Sequence, residues 1–173
     1  MPAIDQGQVQ AFIDAGQNAA TTADQGRALE DLICYVFGLV PGIAITHCNA
    51  MNVFDTEEID VALFNEDIRS LPNVILVEAK NWSNRVGSGE VAWFLTKLQN
   101  RGLDFGILVT TRGITGDGAD LTRAHAQVAA ALVQKRRLIV ITTDELQALA
   151  DTDELVLLIK TKLCDLAVKG AIA

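Results

Sequence analysis

The segment Val74-Ile-Leu-Val-Glu78-Ala-Lys80 sets a carboxylate and an ammonium two residues apart at the end of an apolar run. Side chains alternate across a strand, so Glu78 and Lys80 share one face and point away from Val77 and Ala79. Desolvating two charges there is costly unless they pair, hold a metal or reach water. The run Glu58-Ile-Asp60-Val-Ala-Leu-Phe64 supplies a third member, because Asp60 stands between Ile59 and Val61 and is an inward candidate on a neighbouring strand. Two carboxylates from adjacent strands can share a hard cation. Mg²⁺, with Mn²⁺ as substitute, takes one or two carboxylates and fills its other positions with waters and phosphate oxygens. A lysine beside them would orient or deprotonate a water, or offset charge developing on a phosphate. The implied chemistry is metal-assisted phosphodiester hydrolysis. Two crowded carboxylates repel each other without a cation, so Glu78→Gln is expected to raise the stability of the metal-free fold.

The elements that must position these residues read as a helix-first α/β domain. Helical stretches are predicted over 6–19 and, from an N-cap at Asp24 to a stop at Pro41-Gly42, over a second segment whose Leu29, Ile33, Val36 and Phe37 follow spacings of three and four. Strands follow at 43–48, 58–64 and 73–79. A helical stripe of Val91, Phe94, Leu95 and Leu98 leads to a buried strand, FGILVTT. An alanine-rich helix at 120–134, the strand LIVITT at 138–143, a short helix start at Thr143-Asp144-Glu145 and a last helix at 153–167 complete the order. A mixed central sheet flanked by helices is expected, in one domain. Within it, residues 1–23 form a helical extension, 24–150 the core, and 151–173 a helix packed on that core.

Half of the 173 residues are hydrophobic and 21% are charged, which excludes a disordered chain. The net charge of -8 is unevenly spread: 1–79 carries -10, 80–137 carries +5 and 138–173 carries -3. Only one face could therefore meet a polyanion. On their own, Lys97, Arg101, Arg123 and the Lys135-Arg136-Arg137 run read as solvated helix faces. The opening MPAIDQGQVQ lacks a basic start followed by an apolar stretch, and no apolar run approaches the roughly 20 residues that span a bilayer, so no membrane association and a cytoplasmic location are expected. Cys34, Cys48 and Cys164 are an odd count without a C-x-x-C pair, which argues against a disulfide framework or cysteine zinc site; they read as small core residues. Trp82 and Trp93 read as packing residues rather than base-stacking platforms.

These residues, in this order, resemble the PD-(D/E)xK nuclease superfamily and, within it, the Mrr-like restriction endonucleases. The likeness runs from about Gly26 to Leu149. It rests on a glutamate in the first core helix (GRALEDLI), an aspartate on the second strand (EEIDVALF), Glu-x-Lys on the third (VEAKNW), and the strand and turn ILVTTRGIT followed by RLIVITTDELQAL. The resemblance implies a restriction-endonuclease-like core in α-β-β-β-α-β order. It implies Asp60 and Glu78 as metal ligands, Lys80 as the water-orienting or phosphate-contacting group, and Glu30 as a helix carboxylate completing the site through metal or water. The chain departs from the family pattern in having Ile59 where a proline names the motif. It also has Asp55-Thr56-Glu57-Glu58 in place of a glycine-rich approach, so Glu57 or Glu58 could also reach a cation. Glu78 stands where Mrr-like members often carry glutamine, which restores a carboxylate.

The implied activity is a metal-dependent endonuclease acting on nucleic acid, most readily double-stranded DNA, in restriction, defence or repair. Arg85 and Arg112, each following a core strand, are expected to flank the cleft and contact phosphates. Two other readings share the fold: a catalytically inactive binding or assembly module, and a nuclease subunit whose target recognition comes from a partner. No separate DNA-reading motif is visible outside the core, so recognition would come from loops, a homodimer or a partner subunit.

Overall fold

A computed structural model describes residues 2–51, 57–80, 85–114 and 118–170, with the backbone alone for 118–121. Asp55, Thr56, Trp82 and residues 115–117 lie outside the described residues. Helices α1 (Gln6–Gln17) and α2 (Thr22–Gly38) precede strands β1 (Ile43–Met51), β2 (Glu58–Asn65) and β3 (Val74–Lys80). Then come α3 (Ser88–Asn100), β4 (Phe105–Thr110), α4 (Gly118–Val133), β5 (Arg137–Thr142), α5 (Thr143–Gln147) and α6 (Thr152–Lys169). The expected order is present, and the chain is a single α/β domain.

Five strands form one sheet in the order β1-β2-β3-β4-β5. The first three are antiparallel, and β3, β4 and β5 are parallel. The parallel steps need crossovers, which α3 and α4 supply, while the antiparallel steps need only turns. β4 is buried at every position, as expected of a strand covered on both faces. α3 covers the face that carries Leu76 and its pair partner Gly106: a Cβ at Gly106 would lie 2.8 Å from Phe94 and 2.9 Å from Leu98. α2 lies on the opposite face, where its Cys34 meets Cys48 of β1, a residue paired with Val61 rather than with the Asp60 side of β2.

Local signals explain the boundaries. The N-cap of α2 is Thr21, not Asp24; the Thr21 side chain accepts from the Asp24 N–H and its hydroxyl donates to the Asp24 carboxylate at 2.7 Å. Asp24 instead supplies negative charge to the first turn, where the helix dipole favours it. Gly42 is in the left-handed region at φ 77, which lets the chain turn from α2 into β1. The N-terminal stretch is tied to the junction between α5 and α6: Ile4 N–H donates to the Ala150 carbonyl at 3.0 Å and Thr152 N–H to the Pro2 carbonyl at 3.1 Å.

Two composition-based expectations are corrected. The cysteines are not core residues: Cys48 sits exposed on the edge strand β1, Cys164 is exposed on α6, and Cys34 is half-buried. Trp93 is 46% exposed, because the apolar stripe of α3 runs through Val91, Phe94 and Leu98 and leaves position 93 on the outer face. No helix among the described residues is long and apolar enough to cross a membrane.

The close approach of α3 to β4 generates a stability prediction. Gly106→Val should cost about 1–3 kcal/mol by overpacking against Phe94 and Leu98. Gly89→Ala, in the first turn of α3 with open space around it, should be neutral or stabilising by about 0.5 kcal/mol. Urea unfolding midpoints of the two variants check this, and equal midpoints would contradict the packing.

Candidate active site

The register of β2 against β3 brings the predicted site together. Val61 pairs with Val77, so the next antiparallel step sets Asp60 across from Glu78, on the same face. An Asp60 oxygen accepts from the Ala79 N–H at 2.7 Å. Lys80 Nζ lies 3.0 Å from Glu78 Oε1, so the two charges share one face as strand alternation requires. Asp60, Glu78 and Lys80 thus form one electrostatic cluster.

A fourth member was not anticipated. Lys97 of α3 donates to both Glu78 oxygens, at 2.8 and 2.7 Å, and both residues are buried, Glu78 at 1% and Lys97 at 4% exposure. The solvated-face reading of Lys97 is therefore wrong. The sequence signal lay in its spacing: Lys97 is three residues from Phe94 and next to Leu98, at the edge of the buried stripe. Arg101, read the same way, is also engaged, pairing with Glu57. Asn100 donates to the same carboxylate at 2.8 Å, and these contacts with Arg101 and Asn100 hold the Glu57 carboxyl below its usual range. Glu57 is thus tied to the end of α3, and Glu58 is exposed.

Burial, followed by the charge of Glu78, pushes the Asp60 carboxyl up to about 7, against the Ala79 N–H and the two lysines, which lower it. Burial alone would lower the Lys80 ammonium, but the charge and hydrogen bond of Glu78 and the charge of Asp60 outweigh it and raise the group. The raised ammonium of Lys80 suits it to donate to a water or a phosphate oxygen.

Glu30 occupies different surroundings. Its carboxylate accepts from Asn49 Nδ2 at 2.7 Å. Burial raises its pKa, opposed by Asn49 and aided by the charges of Glu58 and Asp31. Arg85 and Arg112 are both exposed and line one cavity of about 670 Å³. It lies where β4 and β5 end, at Thr111 and Thr142, and α1 contributes Gln10 and Gln17. The crevice beyond the carboxyl ends of parallel strands is where open α/β sheets present ligands. Among the described residues, no group of three or more His, Cys, Asp or Glu side chains gathers closely enough to hold a metal ion.

Comparison with protein families gives a match over residues 47–150 to the Mrr catalytic model, described as a restriction endonuclease. Comparison with curated proteins gives no match.

Two predictions follow from the charge cluster. Lys97→Met should destabilise by about 2–4 kcal/mol, because it strips a buried carboxylate of one of its two cations. The expected gain from Glu78→Gln is reversed for the same reason, since that change strands Lys97; the double variant should recover part of the loss in a double-mutant cycle by urea unfolding. Additive losses would deny the pairing. The second prediction concerns pH. Between the ordinary aspartate value of 3.8 and about 7, folded Asp60 holds a proton that the unfolded chain has released. Stability from this group therefore falls as pH rises through that window and is flat above it. From about pH 5 to about pH 8, wild type should lose roughly 1–3 kcal/mol more than Asp60→Asn. Parallel pH profiles would reject the shift.

Proposed function

The chain belongs to the restriction endonuclease family of the Mrr catalytic type, and from that premise we propose that it hydrolyses phosphodiester bonds of double-stranded DNA with a divalent metal, in restriction, defence or repair. The observation that carries this reading is the shared face of Asp60, Glu78 and Lys80 on adjacent strands.

The donor chemistry fits Mg²⁺. Asp60 and Glu78 offer hard oxygen donors from neighbouring strands, and the raised Asp60 carboxyl marks a pair whose repulsion a divalent cation would relieve. Asp60 and Glu78 would hold the ion, with waters and phosphate oxygens filling its remaining positions. When bound, the cation would polarise a phosphoryl oxygen and lower the pKa of a coordinated water. Lys80, a persistent ammonium, would donate to a non-bridging phosphate oxygen and offset the charge that builds there during attack. Glu30 is proposed as a supporting carboxylate acting through water. Arg85 and Arg112 would hold backbone phosphates at their shared cavity. With a net charge of -8, the whole protein attracts DNA weakly at long range, so binding would depend on these local contacts and on cation screening of Asp60 and Glu78.

One observation favours a second reading. Lys97 donates to both oxygens of Glu78 and Lys80 lies 3.0 Å from one of them, so a metal ion would compete with two ammonium groups for this carboxylate; if it does not bind, the fold serves as an inactive binding or assembly module. A partner subunit or a second copy would then supply recognition or activity.

Incubating the purified protein with Mg²⁺ or Mn²⁺ and plasmid, linear and single-stranded DNA tests the proposal. Cleavage should require the metal, and Asp60→Asn, Glu78→Gln and Lys80→Ala should each slow it by about 10²–10³-fold. Calorimetry should show metal binding that both carboxylate variants lose. Metal binding without cleavage would favour the binding-module reading, and binding unchanged in both variants would reject the site. With Ca²⁺ in place of Mg²⁺, Arg85→Ala and Arg112→Ala should bind DNA more weakly and reduce the salt slope by about one each. Wild-type affinity and slope in both would remove the arginine cavity from the interface.

A further inference from the structure

Two thiols meet on the sheet face opposite Glu78. Cys34 of α2 and Cys48 of β1 are fourteen positions apart in the chain, yet their sulfurs approach to 3.1 Å. Both are free thiols, Cys48 exposed on the edge strand and Cys34 half-buried beneath the helix. A disulfide bond is about 2.05 Å long, so closure needs a movement of only about 1 Å. The surroundings are polar as well: Glu30 lies one helical turn before Cys34, and Asn49, in the left-handed region at φ 51, directly follows Cys48. The Asn49–Glu30 hydrogen bond of 2.7 Å thus joins the same two elements beside the sulfur pair. A structural buried cysteine is inert because nothing can reach it, whereas here one sulfur faces solvent and the other stands ready behind it.

We propose that Cys34 and Cys48 form a reversible oxidation site, at which a small-molecule disulfide converts the two thiols into an intramolecular disulfide clamping α2 to β1. This goes beyond the nuclease reading and does not depend on it. The Cys48 thiolate attacks one sulfur of the small disulfide; that S–S bond breaks, a mixed disulfide forms on Cys48, and a thiolate leaves. The Cys34 sulfur then attacks the Cys48 sulfur, its proton passing to the second leaving thiolate. Two electrons move from the protein thiols to the small disulfide, giving one protein disulfide and two small thiols. The order follows from exposure. Burial and the Cys48 contact push the Cys34 thiol up to about 12, so the exposed partner reacts first. Such pairs inside cells are redox-sensing rather than permanent, and this one would fix the helix that carries Glu30 to the strand beside Asp60.

The full chain incubated with oxidised glutathione, alkylated and measured by intact mass and peptide mapping tests this. The expected product is two hydrogens lighter, retains Cys164 as its one alkylated cysteine, and regains three on reduction. Its melting temperature should rise by about 5–10 °C, since the bond closes a loop of this length. Cys34→Ser should stop as a glutathione adduct on Cys48, and Cys48→Ser should form no internal disulfide. Three alkylated thiols in oxidised wild type, a persistent glutathione adduct on wild-type Cys48, or dimers cross-linked through Cys164 with the pair intact would each overturn the proposal.

Discussion

A carboxylate without access to water must be neutralised by the protein itself, and Glu78 is that carboxylate. Its two cations come from different directions: Lys80 from two positions along its own strand and Lys97 from the helix above. The second needs α3 to lie close on the sheet. That approach depends on Gly106, whose missing side chain admits Phe94 and Leu98. Lys97 sits beside Leu98 on the same helix, so the contact that closes the core also delivers the ammonium. Packing and site electrostatics on this face are one arrangement.

Asp60 shows the opposite case, a charge that the fold leaves incompletely compensated. The antiparallel step from β2 to β3 sets it across from Glu78, and burial removes the water that would ease their repulsion. The Ala79 N–H and the lysines offset only part of this. Functional sites tend to hold such unfavourable groups, which the surrounding core maintains at a cost in stability. The buried strands β4 and β5 form that surrounding core.

The family match spans residues 47–150, but the cavity lined by Arg85 and Arg112 is not built from them alone. α1 contributes Gln10 and Gln17 to its wall, and Gln10 accepts from Gln147 of α5. Backbone bonds between the Pro2–Ile4 and Ala150–Thr152 stretches hold that wall in place, and Val9 and Leu155 are completely buried in the same core. Residues flanking the matched segment thus shape the surface that a ligand at Arg85 and Arg112 would meet.

Much of this was legible in the amino-acid order. Helical spacing of three and four marked α2 and α3, β-branched runs marked β3, β4 and β5, and alternation along β3 put Glu78 and Lys80 together, because these patterns are local and the backbone period alone decides them. The hairpin order made Asp60 a neighbour of Glu78 for nearly the same reason. What the order of residues could not decide was which distant side chains come to rest on that face. Lys97 looks like any lysine on an amphipathic helix until Gly106 sets the depth at which α3 docks. Arg101 meets Glu57 through contacts forty-four positions apart, and Cys34 meets Cys48 only because α2 crosses the far side of β1. Asn49, the residue that donates to the Glu30 carboxylate, was likewise not legible from the order of residues. Local periodicity assigns a side chain to a face of its own element; the docking depth and crossing of one element on another decide which charges share a buried space, and those are properties of the packed structure alone.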